Sequence, residues 1–257
     1  MYKRQAATFL VVGFFFAVQV YCDFSGYSDI AVGSARVMGF KLMKNFDRPL
    51  ISKNLTEFWR RWHISLSSWF SDYLYTPFVL AKRDWGKIAV VVGLLLTFSI
   101  SGLWHGAGWT FVIYGALNGI VLVYEFLSKK FRKNLSKKIP AVIYNSSSNL
   151  LLFLFVSFSY IFFRSSDMHT AISMIKACGH HSSHSIMEQL QNLGLLPLSI
   201  IFTMIAYMHF IERKFESGIP KMDLQKPSLE RTFSIVTLTL IIVLGIFNQQ
   251  SFIYFQF

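Results

Sequence analysis

Cysteine is nearly missing from this 257-residue chain: Cys22 and Cys178 are the only two, and they form no CxxC motif. That excludes a disulfide framework and a zinc ribbon, and leaves the redox compartment unread. Charge is scarce as well, at 15% of residues, where a soluble domain carries about a quarter. Acids are the scarcer sign, 13 against 25 Lys and Arg, for a net charge of +12. The basic side chains cluster between apolar runs and form no stripe with nucleic-acid motifs, so the expected partner is membrane lipid and not nucleic acid. A cleavage site is also lacking. Met1-Tyr2-Lys3-Arg4 ahead of an apolar run looks like a signal peptide, but Tyr21 before Cys22 is too large for cleavage and no A-x-A-like site follows. The spacing predicts a retained membrane helix.

What the chain has in abundance is apolar surface: 53% hydrophobic residues, 17% aromatic. Runs over 6–21, 88–100, 110–127, 150–163, 193–210 and 233–247 approach the roughly 20 residues that cross a bilayer. The expected fold is all-α: a polytopic transmembrane helical bundle with re-entrant or interfacial helices, in one membrane domain over 1–257. Basic loops at 82–87, 129–138 and 213–231 alternate with basic-poor ones, which is a consistent topology with the C-terminal tail outside.

Between two of these runs lies Ser101-Gly102-Leu103-Trp104-His105-Gly106-Ala107-Gly108-Trp109. An ionisable residue at a membrane hairpin is costly and is by default a functional candidate with a partner to be found. Hydrogen bonding to a backbone carbonyl at the interface is the plainer role. The glycines at 102, 106 and 108 favour close backbone approach.

Earlier, Asp23-Phe24-Ser25-Gly26-Tyr27-Ser28-Asp29 interrupts the first apolar region. Ser25 and Asp29 share a helical face, and Gly26 and Gly33 suit a close-packed seam. The two acids read either as polar glue between helices or as groups that shape a site. Asn54 with Glu57 three positions on resembles a capping box and predicts a helix start. That helix carries Trp59, Trp62, His63, Leu66 and Phe70 near one face, so His63 is expected to point into an aromatic wall. Trp59, Arg60 and Trp62 read as an interfacial helix, or as a cytosol-side face gripping an anionic donor. Cys178-Gly179-His180-His181-Ser182-Ser183-His184 invites a metal reading, but its nearest carboxylate is Glu188 and its Ser/Gly context predicts a loop. No metal site is expected.

The order and spacing of four motifs resemble the membrane-bound O-acyltransferase (MBOAT) family. They are Tyr21-Cys22-Asp23-Phe24-Ser25-Gly26-Tyr27-Ser28-Asp29, Glu57-Phe58-Trp59-Arg60-Arg61-Trp62-His63-Ile64-Ser65, Asp72-Tyr73-Leu74-Tyr75 and Gly102-Leu103-Trp104-His105-Gly106. The chain is most similar to bacterial alginate O-acetylation membrane proteins and, more remotely, to the D-alanyl transfer proteins of teichoic acid. Phe252-Ile253-Tyr254-Phe255-Gln256-Phe257 is similar to the end of those proteins, so the resemblance is expected to cover essentially the whole chain. It corresponds to the C-terminal part of the family's pattern. After Tyr75 the family's usual Gly-Gly-Asn loop is replaced by Phe78-Val79-Leu80-Ala81-Lys82-Arg83.

The resemblance implies His105 as the catalytic histidine and His63 as its companion, one imidazole taking the proton from an acceptor hydroxyl as it attacks a thioester. Asp23, Ser25, Tyr27, Asp29, Trp59, Arg60, Trp62 and Trp104 complete the set as substrate-binding candidates. The implied reaction moves an acyl group, in the simplest case acetyl, toward hydroxyls of an extracytoplasmic polysaccharide, directly or through a secreted partner acyltransferase. Acyl-CoA or another acyl thioester is the implied donor, with no tightly bound cofactor, and the bacterial inner membrane the implied location. The alternative is a noncatalytic truncated membrane subunit that binds a partner transferase. A transporter would be expected to show an internal repeat, and none is visible.

Overall fold

The computed structural model describes residues 6–179, with side chains from 16 to 176, and the isolated residues 203, 235 and 239. Every regular element among the described residues is helical. The apolar runs expected at 193–210 and 233–247, and the histidines of 180–184, lie outside them.

Helix α1, Ala6–Val37, runs without a break through the Asp-Phe-Ser-Gly-Tyr-Ser-Asp motif, with Ser25 and Asp29 one turn apart as expected. It stops at Gly39, which sits at φ +84° while the Phe40 N–H donates to the Ala35 carbonyl at 2.8 Å. This is the left-handed glycine cap that closes many helices. The seam expected at Gly26 and Gly33 does not form among the described residues, since a Cβ at either would meet nothing within 4 Å.

Helix α2, Leu55–Arg61, begins as expected: Asn54 caps it, Oδ1 accepting from the Glu57 N–H at 2.8 Å. It does not continue to Phe70. His63 adopts a left-handed conformation, φ +43°, and a separate helix α3, Ile64–Phe70, starts after it. The polar groups freed by this break are taken up by the preceding connection. The Asp47 N–H donates to the Arg61 carbonyl at 2.9 Å, and the Ile64 N–H to the Asn45 carbonyl at 3.0 Å. The break is therefore hydrogen-bonded through, as a kinked segment away from water must be. A π-helical turn, Ser71–Tyr75, then leads into α4, Thr76–Ala81.

Among the described residues, three helices are long and apolar enough to cross a membrane: α5, Lys87–His105; α6, Trp109–Leu127; and α8, Ala141–Arg164. Basic α7, Lys129–Lys138, and α9, Met168–Gly179, flank α8. Helix α5 reaches His105 itself, one turn beyond the expected end near Ser101, and α8 starts nine residues before the expected run at 150. Helices α5 and α6 form a hairpin whose backbones touch. A Cβ on Gly102 would collide with the Phe111 carbonyl and the Gly115 backbone, and one on Gly115 with the Phe98 carbonyl. Only glycine permits such an approach.

The core is aromatic. Tyr21 and Phe24 of α1, Phe46 of the connection, Phe58 and Trp62 of α2, and Tyr160 of α8 are all buried. Burial from water drives helix association weakly in lipid, so packing and interhelical hydrogen bonds carry it. Three such links hold α2 in place. Trp59 Nε1–H donates to Asn118 Oδ1 of α6 at 3.2 Å. Glu125 of α6 accepts from the Leu55 N–H, the Thr56 N–H and the Thr56 hydroxyl at 2.7, 3.0 and 2.7 Å. Asn149 of α8 donates to the Leu50 and Ser52 carbonyls at 2.6 and 2.8 Å.

Candidate active site

The two histidines pack against one indole. Trp104 ends α5 next to His105, the ring centroids 5.0 Å apart, and the His63 ring lies 6.4 Å from the same indole. His105 is held by Phe163 of α8 at 5.3 Å and Tyr114 of α6 at 6.2 Å, and His63 by the edge of Phe24 of α1 at 4.7 Å. Four parts of the chain thus meet here: α1, the α2–α3 break, the α5–α6 hairpin and the end of α8.

The break at His63 aims its ring. In a continuous helix His63 would share the face of Trp59 and Leu66. The left-handed turn instead places it between Phe24 and Trp104, and such backbone conformations in non-glycine residues gather at functional sites. Ser65 Oγ lies 3.4 Å from His63 Nδ1 and donates to Asn45 Oδ1 at 2.6 Å. With the hydroxyl proton committed to Asn45, the arrangement favours the proton on Nδ1, leaving Nε2 as the acceptor. Burial pushes the His63 imidazole down to about 4, so it is neutral at neutral pH.

Below the histidines, between α2–α3 and the α5–α6 hairpin, is a cavity of about 580 Å³. Arg60, Lys129 and Arg132 line its rim, and its walls are largely apolar, with Leu66, Phe70, Leu94 and Phe98 among them. It follows α5 from Val90 to Ser101, about 16 Å at 1.5 Å per residue. Ser101 precedes His105 by four residues and so lies one turn away on the same face. The cavity lining thus runs from these cationic side chains to Ser101, one turn short of His105, and includes neither histidine nor Trp104. The size and mixed lining suit a small-molecule arm with a charged head.

The family model for the membrane-bound O-acyltransferases matches residues 2–166. The chain belongs to that family. It is 40% identical over 192 residues to the probable alginate O-acetylase AlgI of Pseudomonas syringae pv. tomato, covering 75% of this chain and 35% of that protein. It is 38% identical over 165 residues to the peptidoglycan O-acetyltransferase of Helicobacter pylori, covering 63% of this chain and 29% of that protein. The teichoic acid D-alanyltransferase of Bacillus subtilis is 35% identical over 161 residues, with 60% and 40% covered. The chain thus spans about a third of the length of its O-acetylating relatives. The matches take in less of this chain than the whole-length resemblance expected from its last six residues.

Within this member of the family, the residues singled out by sequence fall into three groups. His63, His105 and Trp104 come together as described. Trp59 and Arg60 line the cavity, Trp59 buried and Arg60 exposed at the rim, whereas Trp62 turns to the other side of α2 and stacks on Phe58 at 5.3 Å. Asp23, Ser25, Tyr27 and Asp29 lie along α1 away from this cavity: Asp23 and Ser25 are half-buried, Tyr27 and Asp29 exposed. Ser25 Oγ donates to its own helix, to the Cys22 carbonyl at 3.4 Å. No three metal-ligating side chains gather among the described residues.

Sequence reasoning passed over Glu125, Asn118 and Arg132. Glu125 is 7% exposed, and Arg132 pairs with it at 3.3 Å at the cavity rim. A signal was present, since Glu125 is the only acid in the apolar run 110–127. A lone carboxylate in such a run is an intramembrane charge that demands a partner.

Proposed function

We propose that this chain is the catalytic part of a membrane O-acyltransferase. It moves an acetyl or similar short acyl group from a thioester donor toward hydroxyls of an extracytoplasmic polysaccharide, directly or through a secreted partner. It does so as a multi-pass protein of the bacterial cytoplasmic membrane. The observation that carries the reading is the pair of imidazoles packed against Trp104, with a cavity lined by Arg60, Lys129 and Arg132 that reaches Ser101, one turn before His105.

In this reading the donor enters from the rim, where Arg60, Lys129 and Arg132 meet its anionic head. Its acyl end reaches the level of Ser101. His105, as general base, takes the acceptor's hydroxyl proton while the oxygen attacks the thioester carbonyl and the thiolate leaves. His63, neutral and with Nδ1–H spent on Ser65, offers Nε2 as an acceptor and orients the attacking hydroxyl. The buried rings of Phe24, Tyr114 and Phe163 screen the imidazoles from water on one side, while Trp104 is 58% exposed. Its relatives' names, which specify O-acetylation of alginate and of peptidoglycan, support a polysaccharide acceptor.

The test is His105→Ala in the protein as it occurs in its membrane, followed by transfer of labelled acetyl to polysaccharide. Loss of transfer with normal insertion is expected. Wild-type transfer by the variant would remove the assignment.

A further inference from the structure

Asn45 lies in the connection between α1 and α2, outside the four motifs, yet the far side of the His63 break is tied to it by three hydrogen bonds. The Ile64 N–H donates to its backbone carbonyl at 3.0 Å, and its side-chain Oδ1 accepts from both the Ser65 N–H and the Ser65 hydroxyl, at 3.2 and 2.6 Å. Two residues on, Asp47 ties down the near side. Its N–H donates to the Arg61 carbonyl at 2.9 Å, and its own carbonyl accepts from Arg61 Nη1 at 3.1 Å. Phe46 between them packs edge-on against Trp62 at 5.0 Å. Residues 45–47 thus hold the chain on both sides of His63, whose backbone is left-handed.

Such a conformation in a residue with a side chain persists only where its surroundings over-determine it. Within this bracket, the Asn45 side chain also governs the imidazole's hydrogen bonding. Ser65 Oγ lies 3.4 Å from His63 Nδ1, and its one proton is used on Asn45. What it presents to Nδ1 is therefore a lone pair, and Nδ1 is the nitrogen that carries hydrogen. In acid-base triads a buried carboxylate does this orienting and also stabilises the imidazolium. No ion pair reaches His63 or His105 among the described residues. A neutral amide acting through a hydroxyl fixes the tautomer without favouring the charged ring, so Nε2 stays an acceptor.

Building on the reading of the histidine pair as the site of acyl transfer, we propose that Asn45 is a positioning residue for His63. Through Ser65 it keeps the proton on Nδ1 and Nε2 bare toward the attacking hydroxyl, and through Ile64 it holds the turn that aims the ring. Its loss lets the proton move to Nε2. That turns the acceptor into a donor and deprives the attacking hydroxyl of its orienting group.

The readout is the ¹⁵N spectrum of the whole protein in its membrane, labelled at histidine, with the His63 signals assigned as those lost in His63→Ala. Wild type is expected to show a protonated Nδ1 and a bare Nε2 at neutral pH. In Ser65→Ala and in Asn45→Ala the proton is expected to populate Nε2, and Ser65→Thr, which keeps the hydroxyl, restores the wild-type pattern. Both alanine variants lose about tenfold in kcat, less than removal of a general base costs, while KM for the donor stays level. Asn149→Ala is the structural comparison. It removes two hydrogen bonds from the same connection, those to the Leu50 and Ser52 carbonyls, so it lowers the melting temperature and leaves the tautomer as in wild type. The proposal is overturned if wild-type His63 carries its proton on Nε2, or if neither alanine variant changes the tautomer. It is also overturned if Asn149→Ala shifts the tautomer as far as Asn45→Ala does, since general loosening would then account for both. A changed tautomer with undiminished transfer would instead leave the hold of Asn45 on His63 standing and remove His63 from the reaction.

Discussion

Glu125→Ala should loosen the protein more than any other single truncation at the cavity. The carboxylate is 7% exposed, caps the N-terminus of α2 through three hydrogen bonds and pairs with Arg132. Removing one member of a buried charge pair costs about 3–5 kcal/mol. Two features pull the figure to the lower end: Thr56 is exposed and can turn to water, and the Arg132 side chain is 28% exposed. The Leu55 N–H, on a residue with no exposure, has no such escape. We therefore expect about 3 kcal/mol, or roughly 6–12 °C in melting temperature for a chain of this size. Glu125→Gln keeps one acceptor oxygen and should lose about a third as much. The assay is thermal unfolding in detergent followed by tryptophan fluorescence, since Trp59 and Trp62 ride on α2. Melting of Glu125→Ala within about 2 °C of wild type would mean that the α2 cap is not held as described.

Other outcomes follow from the same contacts. Gly102→Ala should prevent the α5–α6 hairpin from closing, because the added Cβ meets fixed backbone; Gly108→Ala, which meets only ordinary contacts, should leave the protein monodisperse by size exclusion. Asn54→Ala should cost about 1 kcal/mol through the lost cap, read in the same melting assay. For pH, the buried His63 is lowered to about 4 from its ordinary 6.5. The folded state therefore resists a proton that the unfolded state accepts, and stability falls as pH drops through that window. Acyl transfer should hold steady from pH 8 past 6.5 and decline only on approach to 4; a decline centred at 6.5 would show an imidazole of the site to be solvated.

The features legible in the sequence were those that local rules govern. Asn54 and Glu57 announced the start of α2, the apolar runs announced α5 and α6, and Gly102 announced close backbones. What the sequence hid depended on distant neighbours. Nothing between Phe58 and Phe70 signals the break at His63, because the groups that stabilise it, Asn45 and Asp47, belong to a separate stretch and act through backbone hydrogen bonds. For the same reason Trp62 was assigned to the face of Trp59 when the two pack on opposite sides of α2. The motif around Asp23 puts two acids into an apolar run, and the helix runs through it because Asp and Ser tolerate helical backbone when their side chains reach solvent or their own turn. Glu125 was readable as a lone acid in an apolar run, and its three donors became visible only when α2 was placed against α6.

The claim on which the account rests is that His63 and His105 act together across Trp104. A double-mutant cycle in acyl-transfer rate tests it directly, with His63→Ala, His105→Ala and the pair measured in the same membranes. Residues that act as a unit are grossly non-additive. The double variant is expected to transfer no more slowly than His105→Ala alone. Independent, multiplying losses from the two substitutions, or a His105→Ala variant that still turns over at the wild-type rate, would contradict it.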